Sequence, residues 1–368
     1  MRKSKIVFVI PDLQQGGAER VVSIMANYWA GLGHNIFILT FNNEPPYFFI
    51  DNCIKVQSLY SAKQNFWVFN FLINNISRTI NYIKWLSRIK PNIIISFTDN
   101  ANVYVLLYNL VVRKPVIIAQ RTNPIYNTLP AIIKWTPKYL YRRADAIVVQ
   151  TRQTLKIYEE ISMELPQKRG VIYNPLPTKS FNNIDNLERK NIIIAVGRLN
   201  IKDKHFDKLI SIFSSTKNTG WQLHIAGIGP DRLALEKIIA ERNLENKVTL
   251  LGSVLDTSPL YQSAKIFVLT SKFEGFPNAL CEAMANGCAC ISYDCPTGPS
   301  ELINTGVNGI LIEPENSEAF GVALSALMND EEMIKRLSSE AKKISGMLDE
   351  EKIMTQWESL IDDILKDK

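Results

Sequence analysis

No stretch of this 368-residue chain reaches the roughly 20 uninterrupted apolar residues that a membrane-spanning helix needs. Its nearest approach, residues 65–90, is broken by asparagines and arginines. That segment reads either as a helix with one face on a core or as an amphipathic helix lying on a membrane. No signal-peptide pattern opens the sequence, and the cysteines are few and odd in number: Cys53, Cys281, Cys288, Cys290 and Cys295. Both features point to reduced thiols in a cytoplasm. Four of the cysteines fall within 281–295, but no Cys-x-x-Cys pair and no neighbouring histidine accompany them. Zinc is therefore disfavoured, and small buried thiols packing a helix–strand unit are expected instead. The chain also lacks GxGxxG, which disfavours a nicotinamide enzyme, and GxxxxGK[ST], which removes the P-loop NTPases. No Asp-x-Asp stands where it would bridge a metal to a nucleotide diphosphate.

What is present is a soluble, two-part composition. Hydrophobic residues make up 46% and charged residues 21%, as in an ordinary globular protein. The net charge of +6 is unevenly spread: residues 1–185 hold 22 Lys and Arg against 10 Asp and Glu, and residues 186–368 hold 20 against 26. A basic first half suits an anionic partner such as nucleic acid or an anionic membrane surface, or serves solubility alone.

The opening reads KIVFVI, PDLQQGGAER, VVSIMANYWAGLGH, NIFILTF: strand, glycine loop, helix, strand. Near-continuous apolar strands indicate a parallel sheet covered on both faces. Further strands are expected at 91–97, 115–120, 145–151 and 169–174. The segment 174–191, rich in asparagine and proline, reads as a linker, after which IIIAVGRL, WQLHIAGIG, KVTLLGS, AKIFVLTS, ACISYD and GILIEP restart the pattern. Two doubly wound α/β domains in series follow, and a cleft between their facing sheet ends would take one half of a ligand from each. The boundaries read as 1–175, a linker at 176–190, a second domain at 191–345, and a C-terminal helix at 346–368 able to pack back on the first.

Ligands of such domains bind where strands hand over to helix N-termini. Gly16 and Gly17 permit close backbone approach after the first strand. Gly197 ends the first strand of the second domain, with Arg198 projecting from it and Lys202 and Lys204 on the loop before the next helix. Arg grips a diphosphate through two N–H bonds, and Lys adds a compact charge. Gly227 and Gly229 form a strand-to-helix turn that borders a nucleoside or is simply tight. EGFPNALCE (274–282) places Glu274 before a helix and Glu282 on its second turn, with Pro277 at the first helical position. A carboxylate there can accept ribose hydroxyls. CPTGPSELI (295–303) and the hairpin-like GVNGILIEP (306–314) read as turns that define the fold.

Together GGAER, VGRLNIKDKHFDKLI, HIAGIGP, LTSKFEGFPNALCEAMANG, PTGPSEL and VNGILIEP resemble glycosyltransferase family 4 over essentially the whole chain, most strongly over 191–315. The resemblance implies a GT-B fold, two Rossmann-like domains facing across a cleft. It implies a retaining glycosyltransferase of bacterial surface polysaccharide or lipid-linked glycan synthesis, working by front-face substitution. The donor would be a nucleotide-sugar, with a UDP-hexose or UDP-N-acetylhexosamine preferred, and the acceptor a hydroxyl of a lipid-linked glycan or saccharide. No cofactor, metal or nucleic acid is implied. By this resemblance Arg198 and Lys204 neutralise the diphosphate, with Lys204 preferred over Lys202 because it directly precedes the helix. Glu274 lies near the donor sugar and Glu282 on the ribose. The backbone of Gly275, Phe276, Pro277 and Asn278 lies along sugar and phosphates, Gly197 and Gly227 belong to the donor site, and Gly17, beside Gly16, approaches the β-phosphate. Where many members carry a histidine near the sugar, this chain reads AQRTNP, so Arg121 or Gln120 would serve. A cytoplasmic location is implied, with the inner face of the membrane as a docking surface for Arg113, Lys114, Lys134, Lys138, Arg142 and Arg143, interleaved with Trp135, Tyr139 and Tyr141. Two alternatives stand beside this reading. One is a sugar-nucleotide epimerase or a glycogen phosphorylase-like enzyme on a related fold. The other is a non-catalytic protein that binds anionic membranes through its basic half.

Overall fold

The computed structural model describes residues 3–59, 69–121, 123–126, 139–161, 164–177, 188–217 and 219–368. The chain divides into two compact units, Met1–Pro175 with Glu351–Lys368, and Leu176–Glu350. Of the linker expected at 176–190, residues 178–187 lie outside the described residues, while Leu176 pairs with Asp349 in the second unit.

The first unit carries a seven-stranded sheet: β1 (Lys5–Ile10), β2 (Asn35–Thr40), β3 (Lys55–Ser58), β4 (Ile93–Phe97), β5 (Val116–Ala119), β6 (Ala146–Val149) and β7 (Lys168–Val171). Its order is β3-β2-β1-β4-β5-β6-β7 and its pairings are parallel. Continuous apolar strands permit this, because both faces are covered: Ile6, Phe8 and Ile10 enter one core cluster, and Val7 and Val9 enter the other. The first cluster also takes Ile353, Met354, Trp357, Ile361 and Ile364 from the helix Glu350–Lys366. The helix Phe69–Ile89 buries Tyr82, Leu86 and Ile89 in the second cluster, so its C-terminal half is a core element. The strand β3 has no counterpart in the sequence reading. It is an edge strand, KVQS, whose side chains are exposed or half-buried, so it carries no apolar run.

The second unit repeats the plan with β8 (Lys190–Val196), β9 (Gln222–Ala226), β10 (Val248–Gly252), β11 (Ala264–Leu269), β12 (Ala289–Tyr293) and β13 (Ile310–Ile312). The order is β10-β9-β8-β11-β12-β13, again with parallel pairings. Residues 306–314 are therefore not a hairpin. The Gly306 N–H closes a turn on the Gly309 carbonyl, and the chain then enters β13 parallel to β12.

In each sheet the strand order reverses beside its first strand, between β1 and β4 and between β8 and β11. Ligands of open α/β sheets sit at the C-terminal ends of the strands flanking such a switch. The loops after β8 and β11 carry Arg198 and Glu274.

Candidate functional site

In the second unit the loop after β8 begins at Gly197, whose N–H donates to the Ala226 carbonyl at 3.0 Å. Arg198 follows, exposed, with no ion-pair partner among the described residues. The expected loop carrying Lys202 and Lys204 is instead one helical turn, Ile201–Lys204. Asn200 caps it by accepting the Lys202 N–H, and His205 stops it in the left-handed region (φ 50°). The two lysines of that turn differ in what they touch. Lys204 Nζ donates to Glu274 Oε1 at 2.6 Å, with the two side chains 21% and 11% exposed. Lys202 makes no such contact among the described residues. A Cβ on Gly197 would stand 3.4 Å from Lys204 Cε, in contact with the lysine stem.

Glu274 is held from several sides. Ser271 Oγ donates to the same Oε1 at 2.6 Å, and Thr297 Oγ1 donates to the Glu274 backbone carbonyl. Gly298 (φ 108°) packs so closely on Pro277 that a Cβ there would lie 2.5 Å from Pro277 Cδ. The turn 295–303 is thus the clamp of the Glu274 loop as well as a feature of the fold. Thr270 Oγ1 donates to the Lys204 carbonyl at 2.8 Å, and the Lys272 N–H to the Asp203 carbonyl at 2.8 Å, which ties the two loops together. The helix that follows is Asn278–Ala285, so Pro277 is its capping residue and not its first helical position. Asn278 opens the helix, Gly275 is half-buried, and Phe276 is buried. Glu282 lies on the second turn, 7% exposed, accepting from Thr257 Oγ1 at 3.2 Å.

Gly227 (φ 145°) has a backbone reason to be glycine: a Cβ would collide with the Gly197 carbonyl oxygen. Gly229 stands in the same relation to the Leu199 carbonyl. These two glycines set the β8 and β9 loops against one another. Cys281, Cys288, Cys290 and Cys295 are all buried, and burial pushes their thiols up, further at Cys295 through the charge of Glu274. They are packing residues and poor nucleophiles.

In the first unit Gly16 caps the helix Gly17–Gly31 with extended backbone. The carboxylate of Glu19, in the first turn, folds back over Gly16, where a Cβ would collide with it. The positive helix end is therefore covered by a carboxyl group of its own chain. Burial pushes Glu19 up to about 7, a bond from its own N–H works against the rise, and Asp12 adds to it. The sign follows from the two states. The unfolded carboxylate loses its proton near its ordinary value, while the folded one keeps it until about 7. Stability conferred on this site thus falls as pH rises through that window, by at most about 3 kcal/mol, less where water screens the group. Glu19→Gln is expected to match the parent near about pH 5 and to exceed it near about pH 8 in urea unfolding. Equal midpoints at both values would show that the carboxylate is solvated.

At the ends of β4 and β5, Gln120 is buried and committed: its amide nitrogen donates to Asp99, to Tyr158 and, at 3.2 Å, to Tyr141. Tyr141 Oη donates to Asp99 at 2.8 Å. Tyr141 is therefore a core residue, contrary to the expectation that it touches a membrane. Burial pushes the phenols of Tyr141 and Tyr158 up, the charge of Asp99 contributing. Arg121 is buried beside this network, with Nη1 donating to Asn174 Oδ1 and the guanidinium 4.6 Å from the Phe97 ring centre and 5.9 Å from that of Trp357.

The pattern of these motifs has a match among known families. Residues 15–180 fit the family described as Glycosyltransferase Family 4, and residues 178–344 fit Glycosyl transferases group 1. The chain belongs to glycosyltransferase family 4. This family 4 glycosyltransferase is 25% identical to the amylovoran biosynthesis glycosyltransferase AmsD of Erwinia amylovora over 364 residues, 97% of this chain and 99% of the relative. It is 27% identical over 363 residues to a Campylobacter jejuni alpha-1,4-N-acetyl-D-galactosaminyltransferase that acts on an undecaprenol-linked glycan, covering 98% of this chain and 99% of that one. Among solved structures it superimposes on Anabaena HepE, crystallised with UDP and glucose, with a TM-score of 0.83 at 18% identity, covering 98% of this chain and all of that one. The fold is GT-B.

Within the family 4 chain, Lys204 and Glu274 meet directly, and Gly197 lies against the Lys204 stem. Arg198 shares the strand end without touching either in the described contacts, and Glu282 sits one helix turn on. Gly16, Gly17 and Arg121 belong to the first unit. Sequence reasoning missed Ser271, Thr257 and Thr297, whose hydroxyls hold the two glutamates.

Proposed function

We propose that this glycosyltransferase is a retaining enzyme that moves a hexose or N-acetylhexosamine from a UDP-sugar to a hydroxyl of a lipid-linked glycan in surface polysaccharide synthesis. The observation that carries the donor site is the Lys204–Glu274 contact at the switch point of the second sheet. A largely buried ammonium on the turn Ile201–Lys204 and an exposed guanidinium at the end of β8, both following one strand, suit a diphosphate. Arg198 supplies a bidentate fork, and Lys204 a point charge aimed by Glu274. Glu282 and Thr257 would take the ribose hydroxyls, and the backbone of 275–278 would line the sugar.

The bond from the anomeric carbon to the diphosphate oxygen breaks while the acceptor oxygen bonds on the same face. The acceptor proton passes to the departing phosphate oxygen. Arg198 and Lys204 stabilise the charge that develops on the diphosphate, which is where preorganised donors contribute most. Metal independence rests on the missing Asp-x-Asp.

Peripheral membrane contact is favoured by the helix Asp99–Val112, which exposes Leu107, Leu110 and Val111 beside the exposed Arg113 and half-buried Lys114. Tyr139 and Arg143 are exposed too, but Arg142 is paired with Glu164, and Lys134, Trp135 and Lys138 lie outside the described residues.

Thermal-shift titration with UDP-, GDP- and ADP-sugars tests the donor, since a ligand that binds only the folded form raises its stability. A UDP-sugar is expected to raise Tm by the largest amount, and transfer with chelator present is expected to give a product of unchanged anomeric configuration. No shift with any sugar nucleotide would remove the donor assignment; an inverted product would remove retention.

A further inference from the structure

Four buried polar atoms at the ends of β4 and β5 have no hydrogen-bond partner among the described residues: Arg121 Nε, Arg121 Nη2, Asn123 Nδ2 and Thr98 Oγ1. The three nitrogens can only donate, and the hydroxyl can. Acceptors at these strand ends already take other donors. Asn174 Oδ1 takes both Arg121 Nη1 and Gln150 Nε2. Asn123 Oδ1 takes the Ile125 N–H at 2.9 Å. Asp99 accepts from Tyr141 and Gln120.

No ion pair among the described residues involves Arg121, and burial alone lowers it, to about 9, so it remains a cation at neutral pH. Aromatic rings flank it where a carboxylate would be expected. Native structures rarely leave buried donors open, and those they do leave open call for a reason. Thr98 adds an independent sign. A β-branched residue held at φ 73° costs about 1–3 kcal/mol, strain that concentrates at binding sites. The place is also right, at strand C-termini next to the switch between β1 and β4.

We propose that Arg121, with Asn123, binds an oxyanion of the substrate: a phosphate, or a carboxylate carried on a sugar. A donor-only set around a guanidinium fork matches two anionic oxygens and leaves a neutral hydroxyl, which must also donate, poorly served. Gln120, the other residue able to stand in for the missing histidine, is excluded from this role by its own hydrogen bonds. Arg121 is 7% exposed, so the oxyanion sits in low dielectric, where each bond is worth more than in water. The inference rests on the glycosyltransferase reading for the word substrate; the binding itself does not need it.

The test is isothermal titration of the full chain with inorganic pyrophosphate, with glucuronate, and with glucose as the neutral control. Asn123→Asp keeps the oxygen that caps Ile125 and replaces the donating nitrogen by an anion. It is expected to weaken oxyanion binding about tenfold or more without lowering Tm. Arg121→Lys is expected to weaken it similarly, because the fork is lost; should that variant not fold, Asn123→Asp carries the test alone. Pyrophosphate binding sensitive to Asn123→Asp assigns a substrate phosphate, and glucuronate binding so affected assigns a sugar carboxylate. Oxyanion affinity indifferent to Asn123→Asp, or glucose bound as well as glucuronate, overturns the proposal. Arg198→Ala run alongside separates the two units. Pyrophosphate affinity lost there and untouched by Asn123→Asp belongs to the second unit and also overturns the proposal. The reverse pattern upholds it and instead removes the diphosphate role of Arg198.

Discussion

Arg198→Ala is expected to lower kcat for sugar transfer by a factor of about 10²–10³, the range for removing one preorganised charge donor at a transition state. Its side chain is exposed and makes no ion pair among the described residues, so Tm should not move. Lys204→Ala is expected to cost as much in rate and to differ in stability. The lysine pairs with a Glu274 carboxylate only 11% exposed, so its removal strands a carboxylate that Ser271 alone cannot satisfy. Breaking such a pair costs up to about 3 kcal/mol here, below the range for fully buried pairs because both partners keep some solvent. The two variants thus separate chemistry from folding. Nucleotide release measured against substrate concentration, with a melting curve for each variant, reads both. Unimpaired turnover in both would remove the phosphate-neutralising assignment, whatever happened to Tm.

Much of this site was readable before any coordinates, and the reason is local. Apolar runs mark β1, β8 and β11, the first two closed by Pro11 and Gly197, and the residues just after them are the ones a doubly wound sheet brings to a ligand. What was not readable depends on distance along the chain. The sequence around Thr297 and Gly298 declares a turn, but nothing in it says that the turn clamps Glu274, 23 residues away. The edge strand β3 is too polar to announce itself. The single turn Ile201–Lys204 barely completes one helical period, too short for a repeating hydrophobic pattern, although its cap at Asn200 is legible afterwards. Tyr141 looked like an interfacial aromatic because it stands among basic residues. Its partner Asp99 lies 42 residues earlier, and only the fold brings the two together. Arg121 was visible as a departure from a family pattern, but its lack of a counter-ion among the described residues is a property of three-dimensional surroundings.

The largest loss of stability is expected from Trp357→Ala. This side chain is fully buried in the same cluster as Ile6, Phe8 and Trp29, although more than 300 residues separate it from β1. The helix Glu350–Lys366 also reaches Trp29 through Glu358, whose carboxylate accepts the indole N–H at 3.0 Å. Truncating a buried Trp leaves a large cavity and costs about 3–5 kcal/mol, a sizeable part of what holds a domain folded. For a unit of this size that amounts to a drop of about 10 °C in its transition. The cost should fall on one unit only, because Trp357 contributes to the core of Met1–Pro175 with Glu351–Lys368 and Leu176–Glu350 has a core cluster of its own. Calorimetry of the full chain is therefore expected to show one transition lowered and the other fixed, with UDP-sugar still raising the unmoved one. A uniform shift of both would mean that the two units unfold as one, and no shift would mean that the C-terminal helix does not seal the first core.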